Sequence, residues 1–89
     1  MVKVVSTVLP GPVEVGPVNF VRFEWWEESP RFVLLRYEVF GKEAKSGVRL
    51  DLDKKAILDD LPEREDLNPE IRRRAPDIWT AVMDTKFLH

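Results

Sequence analysis

Residues 18–40 constrain the fold more than any other stretch. Two runs rich in β-branched and aromatic residues, Val18-Asn-Phe-Val-Arg-Phe-Glu-Trp-Trp26 and Arg31-Phe-Val-Leu-Leu-Arg-Tyr-Glu-Val-Phe40, flank the polar segment Glu27-Glu28-Ser29-Pro30. That pattern predicts a β-hairpin. Strand side chains alternate between faces. On this basis Val21, Phe23 and Trp25 share one face with Val33, Leu35, Tyr37 and Val39. Arg22, Glu24, Arg36 and Glu38 share the other. Pairing Arg22 with Glu38 and Glu24 with Arg36 sets opposite charges across the strands, whereas a two-residue shift sets Arg22 opposite Arg36. The charge-matched register, with a loop over 28–32, is therefore the expected one. A tighter loop with diagonal charge contacts is the alternative. Trp26 and Phe32 fall on the charged face at the loop end. Either a second layer or a bulge buries them, or they form an exposed aromatic pair used in binding.

Eighty-nine residues fit one domain, 1–89. The 44% hydrophobic and 34% charged composition is that of a globular protein. With no cysteine, disulfides and thiolate metal sites are excluded, and a cytoplasmic location is the expectation. No apolar run is long enough to cross a membrane as a helix, and no signal peptide is expected because Lys3 and then Pro10-Gly11-Pro12 break the first apolar run. A net charge of −2 disfavours a dedicated nucleic-acid binder.

Residues 1–9 are β-branched and predict a strand. Pro10, Gly11, Pro12, Gly16 and Pro17 then predict a loop, with at most a short edge pairing at Val13-Glu14-Val15. After the polar loop 41–47, Val48-Arg-Leu-Asp-Leu-Asp53 alternates strictly. This places Val48, Leu50 and Leu52 inward and Arg49, Asp51 and Asp53 outward. Two readings stand for 54–60. Lys54-Lys55 is a turn into another short strand, or Asp53 caps a short helix closed before Pro62; the strand is preferred. Residues 59–70, with six acids, read as an exposed acidic linker. Asn68 as N-cap, Pro69 at the first position and Glu70 in the first turn open a helical segment over about 69–86. Its apolar positions Ile71, Ala75, Ile78, Trp79, Val82 and Met83 keep helical phase through Pro76, where a kink or break is expected.

No catalytic constellation stands out. The one histidine, His89, is the last residue given and is poorly held for acid–base work. Asp51-x-Asp53 resembles the opening of a calcium loop, but Ala56 replaces the required glycine and Pro62 the final glutamate. The glycines form no phosphate loop. No catalytic residue, metal ligand or cofactor is therefore expected. Arg72-Arg73-Arg74 is the one basic cluster; it could contact nucleic acid, or pair with Glu70, Asp77 and the upstream acids.

The expected architecture is α+β: a small antiparallel sheet of four to five short strands around the 18–40 hairpin, with the helical segment on one face. A small SH3-like barrel with a helical tail is the alternative. The expected function is a non-catalytic interaction, assembly or accessory-subunit module. It would act through self-association as a homodimer or through another protein, with Trp26, Phe32, Arg22, Arg36, Phe87 and Leu88 as interface candidates. A nucleic-acid-binding regulator using Arg72, Arg73 and Arg74, or a small-ligand-binding domain, is the alternative.

Overall fold

A computed structural model describes residues 3–28 and 31–87, with side chains through Thr85. The chain forms β1 (Val4–Val15), β2 (Val18–Trp26), β3 (Phe32–Val39), β4 (Lys42–Glu43), β5 (Val48–Asp51) and β6 (Ala56–Ile57). A 3₁₀ turn (Glu65–Leu67), α1 (Asn68–Arg73) and α2 (Ala75–Phe87) follow. All strands are antiparallel in one sheet ordered β1-β2-β3-β5-β6, with β4 also on β3. The fold is α+β, as the sequence predicts. The helices touch both ends of the sheet, β1 and β6, and so close one face of it.

The β2–β3 register differs from the charge-matched expectation. Phe20 pairs with Tyr37, then Val21 is skipped, and Arg22 stands opposite Arg36, Phe23 opposite Leu35 and Glu24 opposite Leu34. The reason is core parity. Val18 and Phe20 are even-numbered, Phe23 and Trp25 odd, and an unbroken strand cannot turn all four inward. The bulge at Val21 flips the alternation, so Val18, Phe20 and Phe23 are all fully buried and Trp25 stacks on Phe23 at 5.3 Å. Burying each such side chain contributes about 1.5–3 kcal/mol, against about 0–1 kcal/mol for an exposed ion pair. Val21 therefore leaves the inward set that strict alternation gave it.

Residues 4–15 form a single edge strand: the edge pairing expected at Val13-Glu14-Val15 is present, and the loop expected from Pro10 onward is carried within the strand. The ladder to β2 jumps from Val8↔Arg22 to Val13↔Phe20, so Leu9 to Pro12 span the Val21 bulge without regular partners. The prolines thus fall where no ladder donor is needed, on a strand with one neighbour. The jump also sends Leu9 into the core. Gly16 (φ 58°) and Pro17 make the tight β1–β2 turn, its first central position needing the positive φ that glycine adopts freely.

The β5–β6 hairpin supports the strand reading of residues 54–60. Its turn places Lys55 at φ 54° and is tied at several points. Asp51 Oδ1 accepts from the backbone N–H of Asp53 (3.0 Å) and Lys54 (3.1 Å). Trp79 of α2 donates its indole N–H to the Leu52 carbonyl at 2.8 Å, and Lys55 Nζ lies 4.2 Å from the Trp79 ring centroid. Asp51 does not face water as alternation predicts. It lines up with Phe32 on the outer side but is only 2% exposed, roofed by this turn and by Arg31.

Residues 59–67 are no free linker. Leu61 is fully buried, and its N–H donates to Asn68 Oδ1 at 2.8 Å. Asn68 therefore holds the incoming strap and does not cap α1, whose N-cap residue is Leu67. Tyr37, buried in the sheet, donates its hydroxyl to Glu63 at 2.6 Å. The helical segment divides at Arg74, and Pro76 lies in the first turn of α2, where its missing N–H costs nothing. Ile71, Ala75, Ile78 and Val82 join one cluster with Phe20, Phe23, Leu35, Tyr37 and Leu50.

Candidate interaction face

The helices cover one side of the sheet, and the residues left on the other side follow from the register. Val8 pairs with Arg22 and Arg22 with Arg36. Ser6 pairs with Glu24, Glu24 with Leu34, and Leu34 with Arg49. Val4 pairs with Trp26, and Phe32 with Asp51. Directly paired residues share a face, so this outer face carries a charged band beside an apolar band that includes Val4, Trp26, Phe32 and Leu34.

The charged band is an ordered network. Arg22 and Arg36 stand opposite each other, and Glu24 bridges them: its Oε1 lies 2.7 Å from Arg36 Nε and 3.5 Å from an Arg22 guanidinium nitrogen. Arg22 also pairs with Glu43 of β4, and Arg36 donates to the Lys45 carbonyl at 3.1 Å. Glu24 thus cancels the like-charge pairing that the register imposes. Trp26 and Phe32 are half-buried, and the Arg31 guanidinium sits 5.4 Å from the Phe32 ring centroid. Val4 and Val8 of the edge strand remain 47% and 69% exposed. Asn19, also on this face between Glu14 and Glu38, keeps its buried Oδ1 without a hydrogen-bond donor.

The electrostatics of the carboxylates are those of structural ties. Burial pushes the Asp51 carboxyl up, but the N–H groups of Lys54 and Asp53 and the Arg31 guanidinium (3.2 Å) outweigh it and hold the group below the usual range. Arg49 holds Asp59 low through a paired contact at 2.9 Å and a backbone N–H. Arg64 does the same to Asp66 at 2.8 Å. Tyr37 is pushed up, first by burial and then by its hydrogen bond to the Glu63 carboxylate.

The structure brings Trp26, Phe32, Arg22 and Arg36 onto one face. Leu88 lies outside the described residues, as does the side chain of Phe87. The three arginines of the basic cluster are each engaged: Arg72 with Asp60, Arg73 with Glu70 at 2.6 Å, and Arg74 with Asp77 at 2.8 Å and the Glu14 carbonyl at 3.4 Å. Among the described residues no three His, Cys, Asp or Glu side chains cluster to hold a metal, and no helix is long and apolar enough to cross a membrane.

Sequence reasoning missed Phe40. It occupies the left-handed region (φ 51°) in the two-residue β3–β4 turn with Gly41 (φ 80°) and is 77% exposed, with Arg64 at 5.8 Å from its ring centroid. A bulky residue rarely adopts that conformation. Only the Phe-Gly step just past a regular strand hinted at it. Beside this tip lies a cleft of about 340 Å³ lined by Val39, Lys42, Glu43, Ala44, Lys45 and Glu63. No protein family, curated protein or solved structure matches the chain.

Proposed function

We propose that this protein is a non-catalytic interaction or assembly module, and that it binds a protein partner through the outer face of its sheet. The carrying observation is that face itself. Val4, Trp26, Phe32 and Leu34 lie beside an Arg22–Glu24–Arg36 network, while both helices pack on the opposite side. Aromatic and arginine side chains beside one another on an exposed sheet face are the residue types enriched at protein interfaces and their anchors. The ionisable groups support the same reading, because the perturbed carboxylates are tied to arginines and backbone N–H groups. The absence of cysteine supports a cytoplasmic setting.

The test is affinity capture from the source cells with the full chain, compared with Trp26→Asp and Arg36→Glu variants whose folding is verified by circular dichroism. A partner retained by the wild type and lost by both variants is expected. The same partners bound equally by all three proteins would rule this face out.

A further inference from the structure

The first strand has a free edge whose chemistry is self-complementary. Described residues pair with β1 on one side only, through β2. The Lys3 carbonyl accepts from the Glu27 N–H at 3.4 Å, so Lys3↔Glu27 is a hydrogen-bonded pair of this ladder. Backbone direction alternates along an antiparallel strand. Val5 and Thr7 therefore also bond to β2, and Val4, Ser6 and Val8 aim their N–H and C=O groups at the open side.

Natural edges are blunted by proline, inward charge, bulges or short length. In β1 those devices sit only in the second half, where Pro10, Gly11 and Pro12 accompany the register jump and α2 lies alongside: Leu9, Pro10 and Gly11 line one cleft with Ala81, Asp84 and Thr85. Val4-Val-Ser-Thr-Val8 holds no charge, no proline and no glycine. Its outward side chains, Val4, Ser6 and Val8, are all exposed.

The geometry points to a second copy of this chain as the occupant of that edge, paired antiparallel about a two-fold axis at Ser6. The axis sets Ser6 against Ser6 and Val4 against Val8 of the other copy, each a hydrogen-bonding pair that exchanges two backbone bonds. Val5 then matches Thr7 on the inner side, and no like charges meet along the stretch. An isologous contact of this kind closes on itself and does not propagate. The result is one continuous sheet in which the two outer faces lie side by side, with the most exposed valines of each copy facing each other across the seam. This inference names a partner for the assembly role proposed above but uses the strand edge, not the face, so the two stand or fall on different variants.

Sedimentation of the full chain with rising concentration should move from the monomer mass of 10.4 kDa towards twice that value. Ser6→Pro removes the central outward donor without touching the β1–β2 ladder, as proline on an open edge allows. Val8→Lys sets a charged side chain against Val4 of the other copy, the kind of edge charge that opposes strand pairing. Both variants should remain monomeric at the highest concentration, with unchanged circular dichroism. If Ser6→Pro fails to fold, Val8→Lys still carries the comparison. A Ser6→Cys variant, in a chain with no other cysteine, supplies an independent reading. Hydrogen-bonded antiparallel pairs hold their Cα atoms about 5.5 Å apart, within the range of about 4.4–6.8 Å that a disulfide spans. Mild oxidation should give a disulfide-linked dimer from Ser6→Cys and none from Lys54→Cys. A wild type that stays monomeric throughout, or that dimerises equally in folded Val8→Lys, overturns the inference. Loss of partner capture in Trp26→Asp with dimerisation intact leaves it standing.

Discussion

The two faces of the β2–β3 pair hold the same kinds of residues and use them in opposite ways. Inside, Phe20, Phe23, Leu35 and Tyr37 are fully buried, and packing against α1 and α2 fixes them. Outside, Trp26 and Phe32 are half-buried among arginines and carboxylates that hold each other. Adjacent tryptophans make the contrast sharpest: Trp25 stacks on Phe23 within, and Trp26 lies outside beside Val4. The lesson is that the inner face sets the register and the outer face accommodates it. Arg22 meets Arg36 because Phe20 and Phe23 must both be inside, and Glu24 repairs the electrostatic consequence.

That hierarchy can be broken from the inside first. Phe23→Ala should destabilise the protein by about 3–5 kcal/mol, the range for emptying an aromatic core site, read as a shift of the urea midpoint. A loss below about 1 kcal/mol would mean that the inner face does not dominate.

Tyr37→Phe keeps the ring and removes the hydroxyl bond to Glu63, with an expected cost of about 1 kcal/mol. The same site has a pH signature. Its folded pKa is raised, so the tie is fully present below the ordinary tyrosine value of about 10 and is lost as pH rises above it. Tyr37 is the only tyrosine, so tyrosinate absorbance reports it alone. Ionisation should appear together with unfolding, and a simple titration near pH 10 in the folded protein would contradict the assignment.

Acid tests the ties around the turns. Asp51, Asp59 and Asp66 have lowered folded pKa values, so their contribution is present above the ordinary carboxyl value of about 4 and is lost as pH falls through the lower folded values. The urea midpoint should hold near neutrality and fall below about pH 4, less steeply in Asp51→Asn. An unchanged slope in that variant would remove Asp51 from the account.

The smallest effect belongs to the outer network. Arg36→Ala should cost about 1 kcal/mol, because the half-buried Glu24 keeps Arg22 as a partner, and its thermal midpoint should be more salt-tolerant than the wild type's. A cost comparable to that of Phe23→Ala would erase the distinction between the faces.

Much of this architecture was legible in the residues. The hairpin, the inward set Val33, Leu35 and Tyr37, the turn at Lys54-Lys55 and the helix break near Pro76 all follow from local chemistry. The register did not, because its cause is a phase change between Phe20 and Phe23 that charge matching outweighed on paper. The strap 59–67 was misread because its composition is acidic, and a single leucine, Leu61, anchors it from beneath. For the outer face, sequence placed Trp26 and Phe32 on the side of the charges, and that is where they stand. It could not assign Val4 and Val8 to the same surface, because strand neighbours distant in sequence are settled only by the ladder.

The contact of α2 with both β1 and β6 has a consequence for synthesis. Translation delivers every described strand before α2, so Phe20, Phe23 and Leu35 are made before the helix that buries them. The first and last described elements must then meet across the longest separation in the chain, the kind of non-local closure that slows folding. During that interval two wet surfaces are available to other nascent chains, the uncovered inner face and the open first strand. Codon-level pausing before Ala75 would lengthen the exposure, and the yield of native protein should be sensitive to it.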